Sequence, residues 1–160
     1  MNLELKVEGT KELIAAFEKV QDGVADLRKN AIWFKVQQAA YKEIKAQFAG
    51  EGIGPSGKWK ELSSPYKEYK AKKYGNVPIL QASGRLWKSL TRDNGDAVVD
   101  KQPLEMTLGT TVPYAGYHQK GTKKMPARPF YDFNQEQKER IAKPIVDGLK
   151  QLIANARLKG

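Results

Sequence analysis

Asp93-Asn94-Gly95-Asp96-Ala97-Val98-Val99-Asp100-Lys101-Gln102-Pro103-Leu104-Glu105-Met106-Thr107-Leu108 decides the fold class. Asp93-Asn94-Gly95-Asp96 is a strong turn signal, because Asn and Gly tolerate the backbone angles a tight turn demands. Ala97 to Asp100 reads as a strand, and Lys101-Gln102-Pro103 turns the chain. Leu104, Met106 and Leu108 then alternate with Glu105 and Thr107, the period-two pattern of a second strand. The two strands are expected to pair as an antiparallel hairpin. The segments around them read as helices, so the chain is α+β.

Upstream, Leu3, Leu5 and Val7 alternate with polar residues and predict a further strand ending near Gly9. Thr10 can cap a short helix with Leu13, Ile14, Phe17 and Val20 on one face. A longer helix is expected from about Val24 to Phe48. Leu27, Phe34, Tyr41 and Phe48 recur every seven residues, and Trp33, Val36, Ala40 and Ile44 form a second stripe. Two stripes imply contact on two sides. Ser83 to Leu90 predicts a short helix with Leu86, Trp87 and Leu90 inward, and Val112 to Lys120 another. The last helix spans about Asn134 to Leu158, with Ile141, Ile145, Leu149, Leu152 and Ala156 on its buried face. Pro144 removes one backbone donor, so a kink or restart is expected there.

Gly50 to Asn76 holds five of the fourteen glycines and many lysines. It reads as a long, flexible basic loop with a helical patch beginning at Pro65. The expected architecture is one domain over residues 1–160: a small, mostly antiparallel sheet packed by two long helices plus short ones.

The 160 residues include no cysteine and one histidine, and the net charge is 28 − 18 = +10. Without cysteine there is no disulfide scaffold, thiolate metal site or cysteine nucleophile. One histidine excludes a multi-histidine metal centre. The N-terminus shows no basic segment followed by an apolar one, and no apolar run approaches the roughly 20 residues of a membrane span. A cytoplasmic setting and an acidic partner are expected.

Gly52-Ile53-Gly54-Pro55-Ser56-Gly57-Lys58-Trp59 matches two phosphate-loop patterns on paper. A dinucleotide loop needs a strand before it and a helix after it, and a magnesium-binding loop needs a hydroxyl where Trp59 stands. Nucleotide binding is therefore not expected. His118 lies among tyrosines with no acidic residue between Glu105 and Asp132, so no catalytic triad presents itself. No catalytic, cofactor or metal residue is assigned. Lys58 to Tyr74 interleaves lysines with Trp59, Tyr66, Tyr69 and Tyr74, the composition of a single-strand nucleic-acid groove, and this stands as the alternative function.

A set of short words completes the sequence reading. These are Gly57-x-Trp59-x-x-Leu62, Ile79-Leu80-Gln81-Ala82-Ser83-Gly84-Arg85-Leu86-Trp87-Lys88-Ser89-Leu90, Leu108-Gly109-Thr110, Tyr114-Ala115-x-x-His118-Gln119-x-Gly121 and Pro126-Ala127-Arg128-Pro129-Phe130. In this order and spacing they resemble the phage virion-morphogenesis family, the tail-completion proteins of contractile-tailed phages and prophages. The resemblance implies a structural protein that finishes the tail at its head-proximal end and helps it join the head. It implies no cofactor and a homo-oligomeric ring, a hexamer by family implication. The implied partners are the chain itself and the tail-tube and head-neck proteins, with incidental DNA contact and no membrane. The implied place is the virion tail or neck, reached through the host cytoplasm during assembly.

Trp59, Gly84, Arg85, Tyr114, His118, Gly121, Arg128 and Phe130 are the candidate subunit or partner contacts. Local support of the fold is the competing reading for the words that carry them. A head-to-tail ring could set Arg85, Arg128 and the Lys58 to Lys73 group against Glu4, Glu8, Glu12, Asp93, Asp96, Asp100 and Glu105.

Overall fold

The computed structural model of the chain describes residues 18, 31–102 and 105–157. The strand expected at Leu3 to Val7, the helix after Thr10 and the start of the first long helix, with Leu27, lie outside the described residues. The described elements are α1 (Ala31–Ala49), α2 (Ser64–Tyr74), α3 (Arg85–Thr91), β1 (Ala97–Lys101), β2 (Met106–Thr110), α4 (Ala115–Lys120) and α5 (Gln135–Arg157). The fold is α+β, as the sequence implies.

β1 and β2 form the expected antiparallel hairpin, with Val99 opposite Leu108 and Ala97 opposite Thr110. Asn94 shapes the turn before it: its side-chain oxygen accepts the N–H groups of Asp96 and Ala97. β2 begins at Met106, because Gln102 N–H closes the tip onto the Glu105 carbonyl. A hairpin alone is marginal in water. This one lies on α3, where Leu86 and Leu90 are buried and the Ser89 and Thr110 hydroxyls meet at 2.7 Å. The short helix in turn packs on α1.

α1 is the hub. Ile44 and Phe48 are almost fully enclosed, in a core completed by Trp59, Ile79, Leu86, Leu90, Val112 and Phe130. Trimming Phe48 to Ala would cost about 3–5 kcal/mol on transfer and cavity grounds. The seven-residue stripe holds at Tyr41 and Phe48 but fails at Phe34, which is 53% exposed. A straight helix drifts about 20° per heptad, so a strict seven-residue row rotates off the contact.

α5 runs antiparallel to α1: Arg140 pairs with Glu43, while Gly148 and Gln151 lie near Ile32 and Lys35. Its start is fixed by a reciprocal cap. Gln137 N–H donates to the Asn134 side chain, and Asn134 N–H donates to the Gln137 side chain. The helix continues through Pro144 without restarting. One lost donor is tolerable in a helix held along its length by α1. The inner face also differs from expectation. Gln137 and Gly148 are buried, Ile141, Ile145 and Leu152 are half-buried, and Leu149 is 38% exposed. The buried position on this turn is thus Gly148, and the neighbouring Leu149 faces outward. Burial of Ala156 lies outside the described side chains.

Gly50 to Asn76 carries an 11-residue helix, α2, with Pro65 in its first turn as expected. The turns before it are tied by Gly52 N–H to Gln47 carbonyl, Gly57 N–H to Gly54 carbonyl and Trp59 N–H to Glu51 carbonyl. They deliver Trp59 edge-on to Phe48, with centroids 5.5 Å apart.

A charged pair, Glu43 with Arg140, ties α1 to α5. Both nitrogens of the Arg140 fork reach Glu43, at 2.7 and 3.0 Å. These bonds hold the Glu43 carboxyl below its usual range, against the burial that would raise it. A lowered folded pKa gives stability that is present above the unfolded value and lost as pH falls through the folded one. Arg140→Gln should therefore lower the urea midpoint at pH 7. Its gap to wild type should close as pH drops from about 5 to about 3. Urea titrations across that range check this.

Candidate functional site

The site is built from the chain between α4 and α5. α4 ends at Gly121, whose φ of 75° suits glycine, and its N–H bonds back to the Tyr117 carbonyl. A β-carbon here would stand 2.7 Å from the Ala127 nitrogen. Thr122 and Met125 then pair across a tight turn. The chain returns as a strap through Ala127, Arg128, Pro129 and Phe130, and Arg128 N–H donates to the His118 carbonyl at 2.7 Å.

Four side chains fix the strap. Trp59 Nε1 and Gln47 Nε2 both donate to the Pro129 carbonyl, at 2.9 and 3.1 Å. Gln119 acts as a surrogate strand: its oxygen accepts from Phe130 and Tyr131 N–H, and its nitrogen donates to the Tyr131 carbonyl. Arg128 donates from Nε to the Lys60 carbonyl and from Nη2 to the Glu61 carbonyl, at 2.9 and 3.1 Å. The strap thereby joins α1, the α1–α2 turns and α4.

A cavity of about 820 Å³ opens beside it. α2 contributes Tyr66, Lys70 and Tyr74, and α4 with its preceding residue contributes Tyr114 and His118. Leu80, Leu86 and Met125 give apolar surface, and Arg128 closes one side. Lys70 is buried at the wall shared with a neighbouring cleft, where its ammonium donates to the Val77 and Pro78 carbonyls. His118 presents its ring edgewise to Tyr114 at 5.8 Å, and its Nδ1 is buried with no hydrogen-bond partner among the described residues. Burial first, and the Arg128 charge second, hold the His118 imidazole below its usual pKa. It is therefore neutral at pH 7.

Of the eight residues singled out from the sequence, Tyr114, His118 and Arg128 share this cavity. Trp59 and Phe130 belong to the core, and Arg128 is 4% exposed, so these three have their principal contacts inside the subunit. Gly84 and Gly121 shape backbone; Gly84 takes a φ of 71° just before α3. Arg85 is exposed and makes the bidentate pair its word suggested, but with Asp96 of its own chain, at 2.7 and 2.6 Å. The turn after α3 folds Asp96 back onto Arg85, so this pair forms within one chain. Asp93 is likewise engaged internally, accepting from Gln37 and Tyr41 at 2.6 and 2.8 Å. Burial, with Asp93 next, pushes the Tyr41 hydroxyl up to about 12.

The near-miss glycine loop follows the end of a helix, not a strand. Its Lys58 ammonium folds back on the Gly50 carbonyl, and Ser56 N–H is held by the Asp132 carboxylate. The lysines of residues 58–74 do not line one groove: Lys67 leans to Glu61, Lys70 is buried and Lys73 lies over the Tyr69 and Tyr74 rings. Sequence reasoning missed Gln47 and Gln119 as fixing residues. The available signal was a glutamine amid the apolar face of α1, and one beside His118 in a conspicuous word.

Comparison with known proteins agrees with the ordered words. A family model described as the phage virion morphogenesis family matches residues 10–150. The Mu-like prophage FluMu G protein 1 of Haemophilus influenzae is 30% identical over 141 residues, covering 85% of this chain and 87% of that protein. No solved structure matches the chain.

The two arginines are separable by experiment. Arg128→Glu would place a carboxylate against the Lys60 and Glu61 carbonyls in a buried position, with an expected loss of about 3–5 kcal/mol. Arg85→Glu breaks an exposed pair and should keep a cooperative transition close to wild type. Thermal unfolding followed by circular dichroism should show this order.

Proposed function

The chain belongs to the phage virion morphogenesis family, and on that premise we propose that it completes the phage tail at its head-proximal end as a homo-oligomeric ring. Membership gives it a structural role in virion morphogenesis, as a protein of the virion or of its assembly stage. No helix among the described residues is long and apolar enough to cross a membrane. The finer reading is a hexameric ring that supports head–tail joining between tail-tube and head-neck proteins.

One observation carries the self-association. α5 turns Val146, Leu149 and Ile153 outward, 45%, 38% and 47% exposed, at the three- and four-residue spacing of one helix face. Contiguous apolar surface of this kind marks an interaction face. A face that meets a different surface on the next copy generates a ring when the rotation closes. Like charges among +10 subunits oppose closure, so ring stability should rise with moderate salt.

A second reading, single-stranded nucleic-acid binding, has its own support. Tyr66 and Tyr69 are 45% and 50% exposed on α2, with ring centroids 6.1 Å apart and Lys73 beside Tyr69. Its mark would be affinity that falls steeply with salt.

Light scattering coupled to size exclusion separates the readings. The wild-type chain should run as a closed oligomer in about 0.15 M salt. Val146→Glu combined with Ile153→Glu should give a folded monomer. A prophage carrying that double variant should yield tails that fail to join heads. A wild-type monomer that binds oligothymidylate, with virions unaffected by the double variant, would favour the second reading.

A further inference from the structure

Lys70 and Arg128 present an unresolved electrostatic problem. They are 5% and 4% exposed, and both line the cavity between α2 and α4. Among the described residues each is held by backbone carbonyls alone. Among the described residues neither has a carboxylate within ion-pair distance. The carboxylates whose charge acts on them are Glu51 and Glu61. Glu51 accepts the Ile79 N–H at 2.7 Å. The Glu61 side chain is 78% exposed and leans toward Lys67 at 3.5 Å. A buried cation without a counter-charge is costly, and two beside one cavity make it a well for an anion.

We propose that this cavity is a docking site for an extended acidic segment of a partner protein, a carboxylate with apolar flanks. The carboxylate supplies the counter-charge for Lys70 and Arg128, and Lys124 at the rim extends the positive field. The rings of Tyr66, Tyr74 and Tyr114 and the side chains of Leu80, Leu86 and Met125 receive the apolar flank. A volume of about 820 Å³ lies within the roughly 300–1,000 Å³ range of sites that enclose a ligand. Apolar walls with a few placed polar groups are the usual makeup of such sites.

Charge and position select this occupant. A nucleic-acid backbone is bound by exposed cations along a track, whereas these cations lie inside a cavity. The hairpin turn of a second copy is a poor occupant, because its Asp93 and Asp96 carboxylates are already engaged within their own chain. The docking site goes beyond the ring reading and stands or falls apart from it.

The test uses the full chain in about 0.15 M salt and a fluorescein-labelled hexapeptide of alternating Glu and Leu. Fluorescence anisotropy should show saturable binding. The Gln–Leu counterpart should bind roughly tenfold or more weakly, since each tenfold is 1.4 kcal/mol of lost charge pairing. Nitrogen-15 spectra should place the shifted amides at Tyr114, His118, Met125 and Tyr66. Ala82→Trp, which fills the cavity from its lining, should abolish binding while circular dichroism shows the fold retained. The spectral mapping on the wild-type chain decides the case if that variant fails to fold. The proposal is overturned by no binding at millimolar peptide or by equal binding of the Gln–Leu peptide. It is also overturned by shifts that map elsewhere, by displacement with millimolar inorganic phosphate, or by tighter binding of oligothymidylate at the same amides.

Discussion

The Pro129 carbonyl is the point on which the subunit turns. Proline cannot donate, so the strap offers acceptors at this place, and Trp59 and Gln47 converge on one oxygen. One donor comes from the α1–α2 turns and the other from α1 itself. The Arg128 fork then seizes two carbonyls of the chain beyond Trp59, and Gln119 locks the next residues to α4. Phe130 is driven into the core against Phe48, with centroids 6.1 Å apart. In a low-dielectric interior such a network is worth making only when every member is satisfied. Removing either donor leaves the Pro129 carbonyl on a single bond and unties the strap from one of the two segments that hold it.

Much of this was legible. The hairpin was readable because its turn residues and period-two alternation agree, and the short helices because their apolar residues recur at helical spacing. Pro65 marked the start of α2. The harder features share a cause: they are decided by what lies opposite. Phe34 belongs to a heptad row in the sequence, but such a row drifts around an α-helix and Phe34 ends up exposed. Leu149 reads as core, but the buried residue of that turn is Gly148 and Leu149 is exposed. Gln47 and Glu43 look like misplaced polar residues until Pro129 and Arg140 stand beside them. The cavity was invisible, because Lys70 and Arg128 are far apart in sequence and a lysine on a basic helix usually reads as solvated surface.

The words that identify the family are therefore chiefly folding words. Trp59, Gly121, Arg128 and Phe130 build the strap, and Gly84 and Arg85 start α3 and tether the hairpin through Asp96. This places the family resemblance on the link from sequence to fold. The surfaces proposed for interaction are the α5 stripe and the cation-lined cavity. A structural protein of a virion has reason to separate them: a rigid subunit presents its faces in fixed relation, so that assembly does not carry the entropy of ordering the subunit itself.

The strap is the keystone of the folded subunit, and native-state hydrogen exchange tests this most directly. The amides of Arg128, Phe130 and Tyr131 donate to His118 carbonyl and the Gln119 side chain. If the strap opens only when the whole subunit unfolds, their exchange free energy equals the global unfolding value and falls with denaturant at the global slope. Exchange of these three amides through a local, denaturant-insensitive opening, while the α1 amides near Phe48 remain protected, would contradict the account.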